Sequence, residues 1–163
     1  MIQRILCVCR GNTCRSPMLE ALVRLAIATE LGRNYYARNT DLGYRLGRVT
    51  VESAGTYVDV TADCLNSPAN EHAVTCMSER GIDITSHRSR PVSVLRINDF
   101  DLIVCMGDAE VEFVTNLRPR GAVMLANATN GGVPNPWQKG LAAYRESAAA
   151  IEAVAESVLN IVV

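Results

Sequence analysis

"CVCRGNTCRSP", residues 7–17, sets three cysteines and two arginines between an apolar run and a Ser-Pro pair. The run that leads into it, "RILCV" (residues 4–8), is apolar on both faces, as a strand buried in a parallel sheet must be. Beyond it, Ser16 can cap a helix and Pro17 suits a first helical position. A helix is therefore expected from about Pro17 to Glu30, with Met18, Leu22, Leu25 and Thr29 on one face. Strand one ends at Cys9, so Arg10 to Ser16 must loop back. The unpaired N–H groups of that loop and of the helix start then converge on one spot, and such a spot takes an anion.

The rest of the chain repeats the strand-then-helix order, with no internal repeat or low-complexity tract. "RVTVES" (residues 48–53) reads as a second strand, and a helix from about Pro68 to Arg80 stops at Gly81. "FDLIVCM" (residues 100–106) is a third strand, residues 109–117 a short helix and "AVML" (residues 122–125) a fourth strand. The last helix, about Gln138 to Ile161, carries Leu141, Tyr144, Ala148, Ile151, Val154 and Val158 at helical spacing. The expected fold class is α/β: a three-layer α/β/α domain with a four-stranded parallel sheet, a phosphate-binding loop after strand 1 and one domain over residues 1–163. Its ligand site belongs at the carboxyl ends of the strands.

Composition narrows the function classes. The 163 residues carry a formal charge of −1 and give no global basic field for nucleic acid, so an anion site must be local. The five apolar residues before Arg10 are too few for a signal peptide, and no stretch approaches the ~18 apolar residues of a membrane span. The expectation is a soluble cytoplasmic protein that engages neither nucleic acid nor membrane. Its six cysteines are then reduced thiols, catalytic or buried.

In this setting Cys9 and Arg15 have physical tasks. A thiol in a nest of amides at a helix N-terminus, beside a guanidinium, gives up its proton readily. Arg15 offers a planar fork for two oxygens of a phosphate, and Gly11 lets the backbone approach closely. The expected cradle is Arg10, Gly11, Asn12, Thr13, Cys14 and Arg15, with Cys9 as the nucleophile at its floor. The Gly-x-x-x-x-Gly-Lys pattern of a nucleotide loop is missing. Cys7, Cys9 and Cys14 with His72 and His87 give no four-ligand zinc spacing, so neither a metal nor a cofactor is expected.

"ILCVCRGNTCRSPMLEAL" (residues 5–22) resembles the active-site signature of the low-molecular-weight protein-tyrosine phosphatases. The likeness continues through "VESAGT", "ERGIDITSHRSRP", "FDLIVCM" and "VPNPWQKGLAAYRESAAAIE", nearly the whole chain. The resemblance implies that Cys9 forms a phosphocysteine, that Arg15 clamps phosphate and transition state, and that Ser16 donates to the sulfur. It implies that Asn12, Ser53 and His87 hold the loop in shape, and that Cys14 pairs reversibly with Cys9 under peroxide. The plainer uses stay open: Ser53 ending a strand, His87 a satisfied half-buried histidine, Cys14 inert. The implied partners are a phosphotyrosine-containing protein or aryl phosphate, and inorganic phosphate or oxyanion inhibitors.

Three departures from that family stand out. At "VPNPWQ" the family places an aspartate that protonates the leaving oxygen, and this chain has Asn135, either native or a replacement that traps an intermediate. An amide has no transferable proton at neutral pH, which puts a factor of ~10² to 10⁴ in rate at risk. Asp108 is a nearby carboxylate whose spacing gives no support for a substitute role. Tyr57 takes the place of the tryptophan many relatives carry after "SAGT", with Trp137 as the other wall of the substrate mouth. Finally, residues 34–48 form a long connection holding three of the five tyrosines, read as a solvated excursion rather than a partner-binding loop. Cys64 has no derivable role.

The expected function is therefore hydrolysis of phosphotyrosine and aryl phosphate monoesters, slowed by Asn135. The alternative is a phosphotyrosine-binding pseudophosphatase. Arsenate reduction ranks below both: Met106 and Phe113 stand where such reductases carry relay thiols, and Cys105 faces the other side of its strand.

Overall fold

A computed structural model describes residues 1–33, 45–58 and 66–163. Four strands form one parallel sheet: β1 (Arg4–Cys9), β2 (Thr50–Gly55), β3 (Leu102–Cys105) and β4 (Ala122–Leu125), in the order β2-β1-β3-β4. The chain steps from β1 to one neighbour and later returns to the other side. The crevice at the carboxyl end of β1 is thus the topological switch point, the place where open α/β sheets bind ligands.

Alternation along β1 divides the interior. Ile5, Cys7 and Cys9 join the larger core, while Leu6 and Val8 join the smaller one on the opposite face. The larger core lies beneath α1 (Arg15–Arg33), α2 (Glu71–Ser78) and α4 (Leu141–Val162). There Met18, Leu19, Leu22, Val23 and Ile27 of α1 meet Tyr144, Ala148, Ile151 and Val158 of α4, and each fully buried aliphatic contributes about 1.5–3 kcal/mol. The smaller core holds Ala54, Val92, Phe100, Ile103, Cys105 and Val114 under α3 (Asp108–Asn116).

Several boundaries and faces differ from the sequence expectation. Helix α1 begins at Arg15 rather than Pro17, and Ser16 does not cap it, because its hydroxyl is engaged with Cys9 and Asn12. Leu25 is 43% exposed and Thr29 is exposed. Seven and eleven residues keep Leu25 and Thr29 within about 20° of Met18 on a 3.6-residue helix, but that line is the edge of the buried face, which is centred toward Leu19, Leu22 and Val23 and runs on to Ile27. Strand β2 runs two residues later than "RVTVES", through Gly55. Helix α2 starts at Glu71, where the Asn70 carboxamide accepts the His72 N–H at 2.9 Å. Helix α4 starts at Leu141 because Gln138 and Gly140, at φ 63° and 82°, keep the preceding stretch in a turn. Residues 34–44 and Cys64 lie outside the described residues. No described helix is long and apolar enough to cross a membrane.

Candidate active site

The loop between Cys9 and α1 closes around one sulfur. Cys9 Sγ accepts the Asn12 backbone N–H at 3.2 Å and lies 3.0 Å from Ser16 Oγ. Both groups are where the strand-to-helix turn puts them: Ser16 in the first turn of α1, Asn12 at the bend with φ 56°. An asparagine tolerates that left-handed conformation better than most side chains, since its short amide can bond locally.

Asn12 is fully buried and its amide is saturated. Nδ2 donates to Ser16 Oγ at 2.8 Å and to Ser53 Oγ at 3.0 Å, while Oδ1 accepts the Arg90 N–H at 3.0 Å. Ser53 in turn donates to Glu20, one turn along α1 from Ser16. The Asn12 carbonyl receives Nε2 of His87 at 2.6 Å, which fixes the neutral ring with its proton on that nitrogen. Burial holds the His87 pKa below its ordinary value. The expected loop supports Asn12, Ser53 and His87 therefore meet in one network, and Glu20 and Arg90 belong to it as well. Neither carried a sequence signal, since each is one of many exposed-looking charges until the sheet places it beside the loop.

Arg15 is 6% exposed. Its Nη1 donates to the Val133 carbonyl at 2.8 Å and its Nη2 lies 3.6 Å from Glu110 Oε1. The buried Nε–H finds no partner among the described residues, a state that costs about 1–3 kcal/mol until a ligand oxygen meets it. Glu110, 5% exposed, was missed in the sequence as one of three acids at the start of α3. Asp108, the first residue of that helix, is exposed and does not line the cavity.

Above the sulfur opens a cavity of about 350 Å³ lined by Cys9, Arg10, Gly11, Thr13, Cys14 and Arg15 from the loop. Tyr57, Ser67, Asn135 and Trp137 line it too, and the two aromatic rings are 67% and 56% exposed, so they form a rim rather than a wall buried in the core. Asn135 Oδ1 accepts the Trp137 N–H at 3.2 Å, an Asx turn that holds the amide at this rim. Arg10 stacks its guanidinium 5.2 Å above the Tyr57 ring. A second groove of about 450 Å³ is lined by Glu20 and His87 among others, with no cysteine.

Two other thiols differ in their surroundings. Cys14 is buried with its sulfur 3.0 Å from the Tyr144 hydroxyl, and burial pushes its pKa up. Cys105 sits in the opposite core with a pKa pushed by burial up to about 12. Met106 is fully buried in the larger core and Phe113 is partly exposed on α3, so no relay thiol stands at either place.

Chemically, this is a sulfur at the floor of an open cradle, with a buried guanidinium on one side and two exposed rings above. Comparison with known proteins agrees. Residues 4–162 match the model of the family described as low molecular weight phosphotyrosine protein phosphatase. A probable low molecular weight protein-tyrosine-phosphatase, EpsP of Ralstonia solanacearum, is 32% identical over 155 residues, covering 93% of this chain and 90% of its own. A protein-arginine-phosphatase of Bacillus subtilis is 29% identical over 149 residues, covering 88% and 85%. The structure of Vibrio vulnificus Wzb in complex with benzylphosphonate aligns with a TM-score of 0.74 at 23% identity, over 98% of this chain and 99% of that one.

Proposed function

The chain belongs to the low-molecular-weight phosphotyrosine protein phosphatase family, and from that premise we propose that residues 1–163 are one domain hydrolysing phosphotyrosine and related aryl phosphate monoesters through a phosphocysteine on Cys9. The observation that carries this reading is Cys9 at the floor of a cavity whose side is the buried Arg15 guanidinium.

In the first step Cys9 Sγ attacks phosphorus opposite the ester oxygen, so the S–P bond forms as the P–O bond breaks. Arg15 and the loop N–H groups take the charge on the equatorial oxygens. Ser16, 3.0 Å from the sulfur, steadies it as a leaving group for the second step, in which water attacks phosphorus and inorganic phosphate departs. The tyrosine oxygen needs a proton as it leaves, and Asn135 has none to give. Turnover on a poor leaving group is therefore slow, while an aryl phosphate with an acidic phenol departs unaided. Under peroxide, Cys9 sulfenic acid condenses with the Cys14 thiol to a disulfide and water, which requires Cys14 to leave Tyr144.

The reading of the site as a phosphotyrosine receptor without turnover rests on Asn135 alone. A phosphoarginine substrate of the kind its Bacillus subtilis relative is named for would bring a cation to a mouth already holding Arg10, and the charge opposes it. The test is phosphate release from a phosphotyrosine peptide and from an activated aryl phosphate, for the wild type and Asn135→Asp side by side. A gain of at least about a hundredfold on the peptide, and much less on the activated ester, identifies a lost general acid on a working enzyme. Tight peptide binding with no turnover of either substrate identifies a receptor instead.

A further inference from the structure

The two arginines of the loop are used differently. Arg15 is buried and its charge is met by Glu110 and by the Val133 carbonyl. Arg10 is exposed at the cavity mouth, and every ion pair among the described residues leaves it out. None of the residues lining the cavity is acidic, and Asn135 is neutral where it faces the same rim. Among the described residues, a cation at the edge of a phosphate cradle is thus left without a counter-charge.

Arg10 is also held in place. Its carbonyl accepts the Tyr57 N–H at 2.9 Å, and its guanidinium lies over the face of the Tyr57 ring. That contact restrains the side chain, so the guanidinium is offered at the mouth at lower entropic cost than a free arginine would carry.

We propose that Arg10 is a specificity residue that binds a carboxylate flanking the phosphoester, so that the preferred substrate is an acidic phosphopeptide. This rests on the phosphatase reading for its phosphoryl site, and adds to it the chemical class of the flanking sequence. With a net charge of −1 the protein has no long-range field to select such substrates, so the selection is made by this one side chain at contact distance. The size of the effect is that of an exposed ion pair, about 1.5- to 5-fold per flanking carboxylate, and it is screened by salt.

The test uses three phosphotyrosine peptides of equal length, with Asp/Glu, Asn/Gln or Lys flanks. Affinity is read by fluorescence anisotropy on Cys9→Ser, and kcat/KM on the wild type, each with and without Arg10→Gln or Arg10→Glu. The acidic peptide is expected to exceed the neutral one about threefold, an advantage lost near 0.5 M salt. Arg10→Gln brings the ratio close to one and Arg10→Glu inverts it toward the basic peptide. Equal affinities for all three peptides, or a ratio that survives Arg10→Gln, overturn the proposal. Selective binding without turnover leaves Arg10 in its role and removes the phosphatase reading. Turnover without selectivity does the reverse.

Discussion

Glu110 Oε1 lies 3.6 Å from Nη2 of Arg15, with 7% of each side chain exposed. The contact depends on a neighbour that has no side chain. A Cβ at Gly107 would fall 2.8 Å from Glu110 Oε2, so glycine at the start of α3 is what lets the carboxylate fold back toward the loop. Removing one partner of a buried pair strands the other's charge, and Glu110→Gln is expected to cost about 3–5 kcal/mol of stability. The stranded guanidinium then has more to gain from an anion. The melting temperature of the variant is lower than that of the wild type, yet phosphate raises it further. Thermal melts with and without phosphate check both signs, and a smaller phosphate shift in the variant would show that Glu110 is not the counterion.

Asn12 joins two demands, a saturated buried amide and a left-handed backbone. Asn12→Gly removes only the first and Asn12→Ala removes both. Losing three hydrogen bonds of about 1 kcal/mol each places both variants well below the wild type. The alanine variant is expected a further ~1–2 kcal/mol lower, the cost of a Cβ in that conformation. Urea unfolding of the pair measures the difference, and equal stabilities would mean that the bend relaxes once the amide is gone.

How much of this was legible beforehand depended on whether local chemistry or assembly fixed the residue. The strand, loop and helix around Cys9 follow from an apolar run, a glycine and a Ser-Pro pair, all within fourteen residues. Local chemistry read Ser16 only as a helix-start residue, and its partnership with the sulfur came from the family resemblance, because only the folded turn brings its hydroxyl within 3.0 Å of Cys9. Glu110, Glu20 and Arg90 could not be picked from the charges around them. Their roles arise when α3 and the stretch before Pro91 are laid against the loop, across 95 and 78 positions of chain, and α1 against Ser53 of β2, across 33. Leu25 shows the opposite error, an apolar residue assigned to the core by spacing and left at the surface by helix geometry.

His87 makes stability depend on pH. Burial, helped by the Arg88 and Arg90 charges, lowers its pKa below the 6.5 of a free histidine, against the raising effects of its bond to Asn12 and of the Glu20 charge. Between the lowered folded value and 6.5 the unfolded chain binds more protons. Stability is thus complete above about pH 6.5 and declines as the pH falls through that window. His87→Gln keeps a donor for the Asn12 carbonyl but cannot titrate. Urea midpoints at pH 7.5 and 5.5 should fall between the two values for the wild type and hold nearly level for the variant, and parallel declines in both would assign the dependence to other groups.

Gly55 and Gly121 are both places where a methyl group has no room, but only one adjoins the cradle. At Gly55 a Cβ would stand 2.6 Å from the Arg10 carbonyl and 3.1 Å from the Asn12 nitrogen, the same N–H that serves Cys9 Sγ. At Gly121 it would collide with the Phe100 carbonyl, at the other end of the sheet. Overpacking against backbone costs about 1–3 kcal/mol in either case. Gly55→Ala must in addition push the loop away from the sulfur, so phosphate should protect it less against heat than it protects Gly121→Ala. Phosphate titrations followed by thermal melting separate the two variants, and equal protection would mean that the loop moves as a rigid piece, keeping the cradle intact as β2 is displaced.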